Sequence, residues 1–292
     1  MNPLQIYILA IGANLSYSTA SMIFSVFARR FSSMWVNQVK VFTAFCAFLV
    51  AALCTHEFTL ITSTSLGTLL LSGFLGLCLG DLLLFRAFRT IGASRSLVLF
   101  SFQPLLVGVY GYFVLGQVFS FNQTIAVICM IVCVFIFMLE RNRSTGTWDV
   151  KSFFYAFAGI ALDACGVMLS RTAYEMSPEL ETFQVNTIRC LGALIGFLMI
   201  SPKSFVTVYQ DVLKLKKNDQ LLIFGASIGG CFLSLTLYLA ALKYAHVGTL
   251  TAIAITGPVW VSMLECLYYK RWPNRYLLGA FGFFLAGFYL ML

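Results

Sequence analysis

The sequence predicts an all-α membrane protein whose ten transmembrane helices form two inverted five-helix repeats. Three observations lead to this fold class: an apolar composition, ten apolar stretches long enough to cross a membrane, and an internal repeat. Hydrophobic residues make up 60% of the 292 positions and charged residues only 10%, whereas about 25% of a typical soluble chain is charged. Such a chain needs the bilayer as its solvent.

The apolar stretches are close to the length that a helix needs to cross the hydrocarbon core, and about twice that of an outer-membrane strand. The predicted spans are 4–28, 33–55, 65–86, 95–116, 121–139, 152–171, 182–200, 220–242, 247–268 and 275–292. The nine cysteines lie almost entirely inside them without zinc-site spacing, which indicates buried apolar side chains. No Walker phosphate loop or Gly-rich dinucleotide turn occurs, so we expect no cofactor, no bound metal and no use of ATP.

The two halves of the chain repeat each other in two registers, 154 and 149 residues apart. The aligned pairs are Gly76 with Gly230, Ala87 with Ala241, Pro104 with Pro258, Asn14 with Asp163, Asn37 with Asn186 and Lys40 with Arg189. With an odd number of spans in each half, the halves insert in opposite orientations. We therefore predict a first repeat over 1–140, a cytoplasmic linker over 141–151 and a second repeat over 152–292.

Basic residues are concentrated on one side of the predicted membrane. Fifteen of the 19 Lys and Arg residues fall in the odd-numbered connections or on the span residues that border them, and only Arg171 and Lys243 fall on the opposite side. The positive-inside rule therefore places the odd connections in the cytoplasm and both termini outside. A second interpretation, that the basic face attracts anionic substrates, remains open.

The longest connection, near 201–219, has the pattern of a short amphipathic helix. Phe205, Val208, Val212 and Leu215 fall on one helical face, and lysines supply positive charge nearby. This pattern predicts a helix that lies on an anionic cytoplasmic leaflet.

Charged residues within the spans are the first candidates for function, because an ion in the bilayer is costly and normally faces the bundle interior or water. Asp163 lies near the middle of its span. It either pairs with a base on a neighbouring helix or takes part in substrate or ion binding. Inversion of the repeats places Asn14 opposite Asp163 near the pseudo-two-fold axis. We expect Lys40 and Arg189 toward opposite membrane faces, where each could snorkel or bind an anion.

Two prolines and two glycine runs indicate how the helices could move. Pro104 and Pro258 each free a backbone carbonyl and kink a helix at depth, either as hinges of a gate or as static packing features. The glycine runs allow helices to approach closely. These glycines are Gly73, Gly76 and Gly80 in one span and Gly225, Gly229 and Gly230 in the other.

These features resemble the drug/metabolite transporter superfamily, in particular the carriers with two EamA domains. The shared motif is a glycine run in the third helix, a short connection with small residues, and a fourth helix with a central Pro. The matching residues are Gly73 to Ala87 with Pro104, Gly225 to Ala241 with Pro258, and the bases Lys40 and Arg189. The chain departs from the family at Gln117 and Arg271, where Glu is common, and in its predicted outside termini.

The resemblance implies a secondary active transporter, not an enzyme, that moves a small polar or amphipathic metabolite by alternating access and is typically an exporter. The cavity-lining positions it implies are Asn14, Tyr17, Asp81, Gln103, Asp163, Tyr238 and Thr256. Its expected partners are a small-molecule substrate, a coupling proton or sodium ion and the lipid bilayer, with no nucleic acid. We expect a bacterial inner membrane location and a monomer or homodimer.

Two alternatives remain open beside this interpretation. A flippase for a lipid-linked precursor would use the basic face to hold phosphate head groups. An intramembrane aspartyl protease would use Asp81, which follows Gly80, together with Asp163. That motif needs another glycine where this chain has Cys78, and both carboxylates must reach one water.

Overall fold

The computed structural model describes residues 3–56, 58–103, 150–244, 256–268 and 275–291, with single positions between 106 and 139 and at 270. Within these ranges every regular element is a helix, which confirms the fold class. The helices are α1 (Pro3–Arg30), α2 (Ser33–Thr55), α3 (Ser63–Ile91), α4 (Ala93–Val98), α5 (Val150–Met176), α6 (Thr182–Ile200), α7 (Pro202–Lys214), α8 (Lys217–Tyr244), α9 (Thr256–Tyr268) and α10 (Arg275–Met291). A 3₁₀ turn, Leu99–Phe102, follows α4.

Six of the described helices are long and apolar enough to cross a membrane, namely α1, α2, α3, α5, α6 and α8. The bounds of α2 and α6 match the predicted spans, and the other four extend beyond them by at most five residues at either end. Most of the predicted spans 95–116 and 121–139 lies outside the described residues, together with Pro104, Gln117 and Arg271.

Local polar groups fix the ends of the helices that enter the site. The Ser32 side chain accepts a hydrogen bond from the Trp35 backbone N–H (3.0 Å) at the start of α2, and Thr62 accepts one from Ser65 N–H (3.2 Å) at the start of α3. These bonds satisfy donors that a helix start leaves unpaired. Chain reversal after α3 uses Gly92 at φ 89°, a conformation open to glycine and strained for other residues.

A π-helical segment interrupts α3 and α8 at equivalent places in the two repeats. The segments are Gly73–Gly80 and Ile228–Leu233, and the 154-residue register carries the first onto residues 227–234. Asn37 Nδ2 donates to the carbonyls of Leu77 (2.9 Å) and Cys78 (3.1 Å). Its repeat partner Asn186 donates to the Leu235 carbonyl at 3.4 Å. Wide turns leave carbonyls poorly paired, and these two amides supply donors for them.

The two halves are interleaved, because α3 of the first half packs between α5 and α6 of the second. A side chain at Gly73 would overlap the Arg189 carbonyl, and one at Gly80 would come within 2.9 Å of the Gly159 carbonyl. In return, α8 packs against α1, where the Ser16 hydroxyl donates to the Gly229 carbonyl at 2.6 Å. Small residues thus bring helices of different halves into backbone contact.

The predicted amphipathic helix is present as α7, and the residues singled out on its apolar face pack against protein. Val208, Val212 and the buried Leu215 pack onto one apolar cluster, and Phe205 packs against a second cluster. Gln38 of α2 donates to the Ser204 hydroxyl at 2.6 Å. Val206, Tyr209 and Leu213 are exposed on the same helix, and its position on the cytoplasmic leaflet stays a prediction.

The two bases on the sparsely charged side of the membrane bind backbone carbonyls. Arg171 Nη1 donates to the Leu242 carbonyl at 2.7 Å, and Lys243 Nζ donates to the Leu180 carbonyl at 2.9 Å. Leu242 lies in the last turn of α8, where a base compensates the helix dipole, whereas Leu180 lies in the connection before α6. At the other end of the bundle, Arg30 pairs with Asp219 at 2.6 Å, so the ends of α1 and α7 and the start of α8 lie on one side.

Candidate functional site

A cavity of about 90 Å³ lies in the centre of the bundle between α1, α2, α3, α5, α6 and α8. Its polar and charged lining residues are Asn14, Tyr17, Lys40, Asp81, Gln103, Asp163, Arg189, Ser234 and Tyr238. Its remaining lining residues include Ala13, Leu77, Val167, Gly230, Cys231 and Leu235. Two cations and two carboxylates thus line the same cavity.

The cavity lies midway along the helices, between two apolar layers. On α1, buried Ala10 comes before the cavity-lining residues and buried Phe24 after them, and these two belong to separate apolar clusters. The same order holds on α5, where Ile160 lies on one side of Asp163 and Tyr174 on the other. The polar groups are therefore separated from both helix ends by packed side chains.

Lys40 and Asp81 form a buried ion pair between α2 and α3. The Lys40 side chain is only 2% exposed, and its ammonium also lies 5.0 Å from the centre of the Phe85 ring. A buried charge is tolerated when a partner and nearby ring compensate for its lost hydration. This pair neutralises one cation and one carboxylate of the cavity.

The Arg189 guanidinium is hydrogen-bonded at Nε, whereas its Nη1 is unpaired among the described residues. Arg189 is 1% exposed, and its Nε donates a hydrogen bond to the Ser72 hydroxyl at 2.9 Å. The Ser72 hydroxyl in turn donates to the Gly166 carbonyl at 2.7 Å. Buried polar groups are almost always paired, so an unpaired guanidinium donor at a cavity indicates a place for an acceptor.

Asp163 faces the same part of the cavity as Arg189. A methyl group at Gly76 would lie 3.6 Å from Asp163 Oδ1 and 3.7 Å from Arg189 Nη2, so glycine keeps this gap open. Gln103 Nε2 donates to Asp163 Oδ2 at 3.2 Å. Among the described residues Asp163 forms no ion pair within 4 Å, in contrast to the Lys40–Asp81 pair. The Tyr238 hydroxyl is also buried there without a hydrogen-bond partner in the described part of the chain.

The structure brings most of the residues singled out from the sequence into this one cavity. They are Asn14, Tyr17, Lys40, Asp81, Gln103, Asp163, Arg189 and Tyr238. The side chains of Thr256 and Pro258, like all of Pro104, lie outside the described residues. Snorkelling of Lys40 and Arg189 toward opposite membrane faces is wrong, because both side chains are buried and line the central cavity.

Sequence reasoning missed Ser72, which fixes the position of Arg189, and Cys231 and Ser234, which line the cavity. A lone serine or cysteine in a span carries little signal, because it usually bonds to its own helix or packs as a small apolar group. Asn37 and Asn186 were detectable from their aligned positions in the repeat, although their roles at the π segments were not.

Comparison with known protein families gives the class of the chain. The model of the EamA-like transporter family matches residues 4–139 and 150–292. The chain therefore belongs to the EamA-like transporter family, which confirms the resemblance and makes this a multi-pass membrane transporter of the drug/metabolite superfamily.

Solved structures support the fold over the whole chain. One crystal structure, titled only as that of a protein, matches with a TM-score of 0.67 and 14% sequence identity over 99% of this chain and 96% of the other. At 14% sequence identity the match shows similarity of fold alone. A search of curated proteins gives no match.

Proposed function

We propose that this transporter is a secondary active carrier that moves a small metabolite with an anionic group by alternating access through the central cavity. The observation that carries the proposal is Arg189, a buried guanidinium with an unpartnered Nη1 beside Asp163 at mid-depth. Family membership supports transport in general. The charge arrangement supports this particular substrate class.

Arg189 is suited to bind a carboxylate or phosphate group. Its guanidinium is planar and carries donors in a fixed fork that matches two acceptor oxygens. Ser72 occupies Nε, which leaves Nη1 for a substrate oxygen. Lys40 is less available, because Asp81 already holds it.

Charge balance gives Asp163 a role in coupling. With all four groups ionised, the two bases and two carboxylates of the cavity sum to zero net charge. An added substrate anion would leave one negative charge in a space of low polarizability, which is costly unless a cation enters with it. A proton or sodium ion at Asp163 restores neutrality, so the anion and the ion travel together.

The size and surroundings of the cavity fit a closed state in an alternating cycle. At about 90 Å³ it has room for roughly three waters or one charged head group, whereas sites for drug-sized ligands enclose about 300–1,000 Å³. An apolar cluster lies on each side of it along α1 and α5. Opening of one layer at a time would admit the substrate and its coupling ion together from one side and release both to the other.

Two measurements on purified protein test the proposal. First, small carboxylates and phosphate esters are compared with their neutral amides and alcohols as thermal stabilisers of the parent, Arg189→Gln and the control Lys203→Gln. We expect stabilisation by anions in the parent and in Lys203→Gln, where the lost base is exposed, and no stabilisation in Arg189→Gln. Equal stabilisation by neutral analogues would overturn the anion site.

Second, a stabilising anion is followed in proteoliposomes with and without an imposed proton or sodium gradient. Asp163→Asn keeps the shape and hydrogen bonding of the carboxyl but cannot bind a coupling ion. We expect it to abolish gradient-driven accumulation and to retain substrate exchange, because exchange needs no net ion movement. Parental accumulation by Asp163→Asn contradicts the coupling role. Transbilayer movement of a labelled anionic lipid in the same vesicles, without movement of soluble anions, would favour a flippase instead.

A further inference from the structure

A second, larger hollow lies on the outside of the bundle, separate from the central cavity. It is a groove of about 580 Å³ between α1, α8 and the described part of α9. Its floor is made of small residues, chiefly Ala20, Gly225, Ala226 and Gly229. A side chain built at Gly225 would meet no atom within 4 Å, so the missing side chain leaves open space.

The walls of the groove are apolar and exposed on membrane-spanning helices, where hydrocarbon would cover them. Leu221 is 76% exposed, and Leu15, Ile23 and Leu222 continue the same surface. Part way along the groove, Trp260 Nε1 donates a hydrogen bond to the Thr19 hydroxyl at 3.1 Å. This bond pairs the polar atoms of the two side chains within the groove wall. The remaining surface is suited to hydrocarbon.

The length and depth of the groove match one leaflet. On α8 the groove is lined from Asn218, next to the Asp219–Arg30 pair, to Gly229, which lies eleven residues later on the same helix. At 1.5 Å per residue this distance is about 16 Å, close to half of the ~30 Å hydrocarbon core. The groove therefore runs from the membrane surface to about the middle of the bilayer.

The end of the groove at the membrane surface is positively charged. Asn218 lines it, Lys216 and Lys217 are exposed in the two positions before Asn218, and Arg30 lies across from them with about half of its side chain accessible. Asp219 offsets part of this charge, so the end remains basic. Bases at the membrane surface attract anionic lipid head groups.

We propose that this groove binds an anionic phospholipid, with one acyl chain along Gly225 and Gly229 and the head group among Arg30, Lys216 and Lys217. A second copy of the chain fits less well, because it would bring two basic ends together. The Ser16–Gly229 hydrogen bond joins α1 to α8 between the groove and the central cavity. The bound acyl chain would lie on the groove side of this bond.

The test uses Trp260 as a reporter within the groove. Trp35, Trp148 and Trp272 are replaced by Phe, which leaves Trp260 as the sole tryptophan. The protein is reconstituted in phosphatidylcholine vesicles that contain equal fractions of either brominated phosphatidylglycerol or brominated phosphatidylcholine. Bromine quenches tryptophan fluorescence on contact, so the quenching reports which lipid occupies the groove.

We expect brominated phosphatidylglycerol to associate about fivefold more strongly than phosphatidylcholine for each base that contacts the head group. The double variant Lys216→Gln and Lys217→Gln should lower this preference and leave quenching by phosphatidylcholine unchanged. Gly225→Leu should fill the groove and reduce quenching by both lipids. Gly67→Leu is the matched control, because Gly67 also has no atom within 4 Å of a built side chain and lies on α3, away from the groove.

Equal quenching by the two brominated lipids in the parent overturns the anionic site, and this comparison needs no substitution in the groove. If Trp260 is quenched as strongly in Gly225→Leu as in the control Gly67→Leu, the placement of the acyl chain is overturned. The quenching would then reflect general contact of Trp260 with the bilayer. Neither result bears on substrate binding at Arg189, so this inference and the proposed function can fail separately.

Discussion

Gly73 of α3 lies directly against the backbone carbonyl of Arg189 in α6, with no space for a side chain between the two helices. The same approach brings the neighbouring Ser72 hydroxyl to 2.9 Å from Arg189 Nε. The glycine thus places the candidate anion-binding residue, although it does not itself line the cavity. A helix–helix contact made by one small residue sets the geometry of the site.

Gly73→Ala should destabilise the protein and disturb the site. The added methyl group must separate α3 from α6, at a cost of about 1–3 kcal/mol for overpacking, and this moves Ser72 away from Arg189. The free energy of unfolding in mixed micelles measures the first effect, and anion-induced thermal stabilisation measures the second. Gly67→Ala, which meets open space, should retain both properties. If Gly73→Ala keeps the unfolding free energy and the anion-induced stabilisation of the parent, the close approach of α3 to α6 is contradicted.

Removal of one partner of the Lys40–Asp81 pair should cost much more than removal of both. Lys40→Met leaves a buried carboxylate without its cation, for which we expect a loss of about 3–5 kcal/mol in the free energy of unfolding. The double variant Lys40→Met with Asp81→Leu should recover most of this loss. Arg30→Gln, which breaks the exposed pair with Asp219, should cost no more than about 1 kcal/mol. Additive effects of the two cavity substitutions would show that the pair is not coupled.

Pro104→Ala and Pro258→Ala should slow transport while the protein remains folded and inserted. Alanine restores the missing backbone donor and straightens the helix, which opposes a hinge. The transport rate in proteoliposomes is compared with that of Pro202→Ala, which alters the first turn of the surface helix α7. Unchanged rates in both hinge variants would leave Pro104 and Pro258 as packing features.

Both termini should face away from the cytoplasm. The distribution of Lys and Arg over the connections predicts this topology. A C-terminal reporter that is active only in the cytoplasm should give little signal, and the same reporter placed in the connection near residue 216 should give a strong one. A strong signal from the C-terminal fusion would reverse the assignment.

The fold and much of the cavity were accessible from the sequence because both follow from chemistry that a bilayer enforces. An Asp in the middle of an apolar span must face the interior, and an internal repeat doubles each such observation, as with Asn14 and Asp163. The depth of Lys40 and Arg189 was not accessible, because it depends on a partner and on helix rotation. Asp81 holds Lys40, whereas Ser72 and the close contact at Gly73 position Arg189.

The protein contacts of the apolar face of α7 were not accessible for a related reason. Periodicity shows that a helix has an apolar face but does not say whether lipid or protein covers it. Val208 and Val212 cover a protein cluster that also contains Leu215. The π segments of α3 and α8 likewise have no signature in composition, and the hydrogen bonds of Asn37 and Asn186 at or near them come from other helices.

The interleaving of α3 with α5 and α6 has a consequence for biogenesis. About a hundred residues separate the end of α3 from the middle of α6, so at roughly 5–20 residues per second the ribosome needs about 5–20 s to supply the missing partners. During that time Gly73, Gly76 and Gly80 can meet only lipid or the helices already inserted. Most of the surface that each third helix covers belongs to the other half of the chain. The nascent chain therefore gains its compact form only after the second half has entered the membrane.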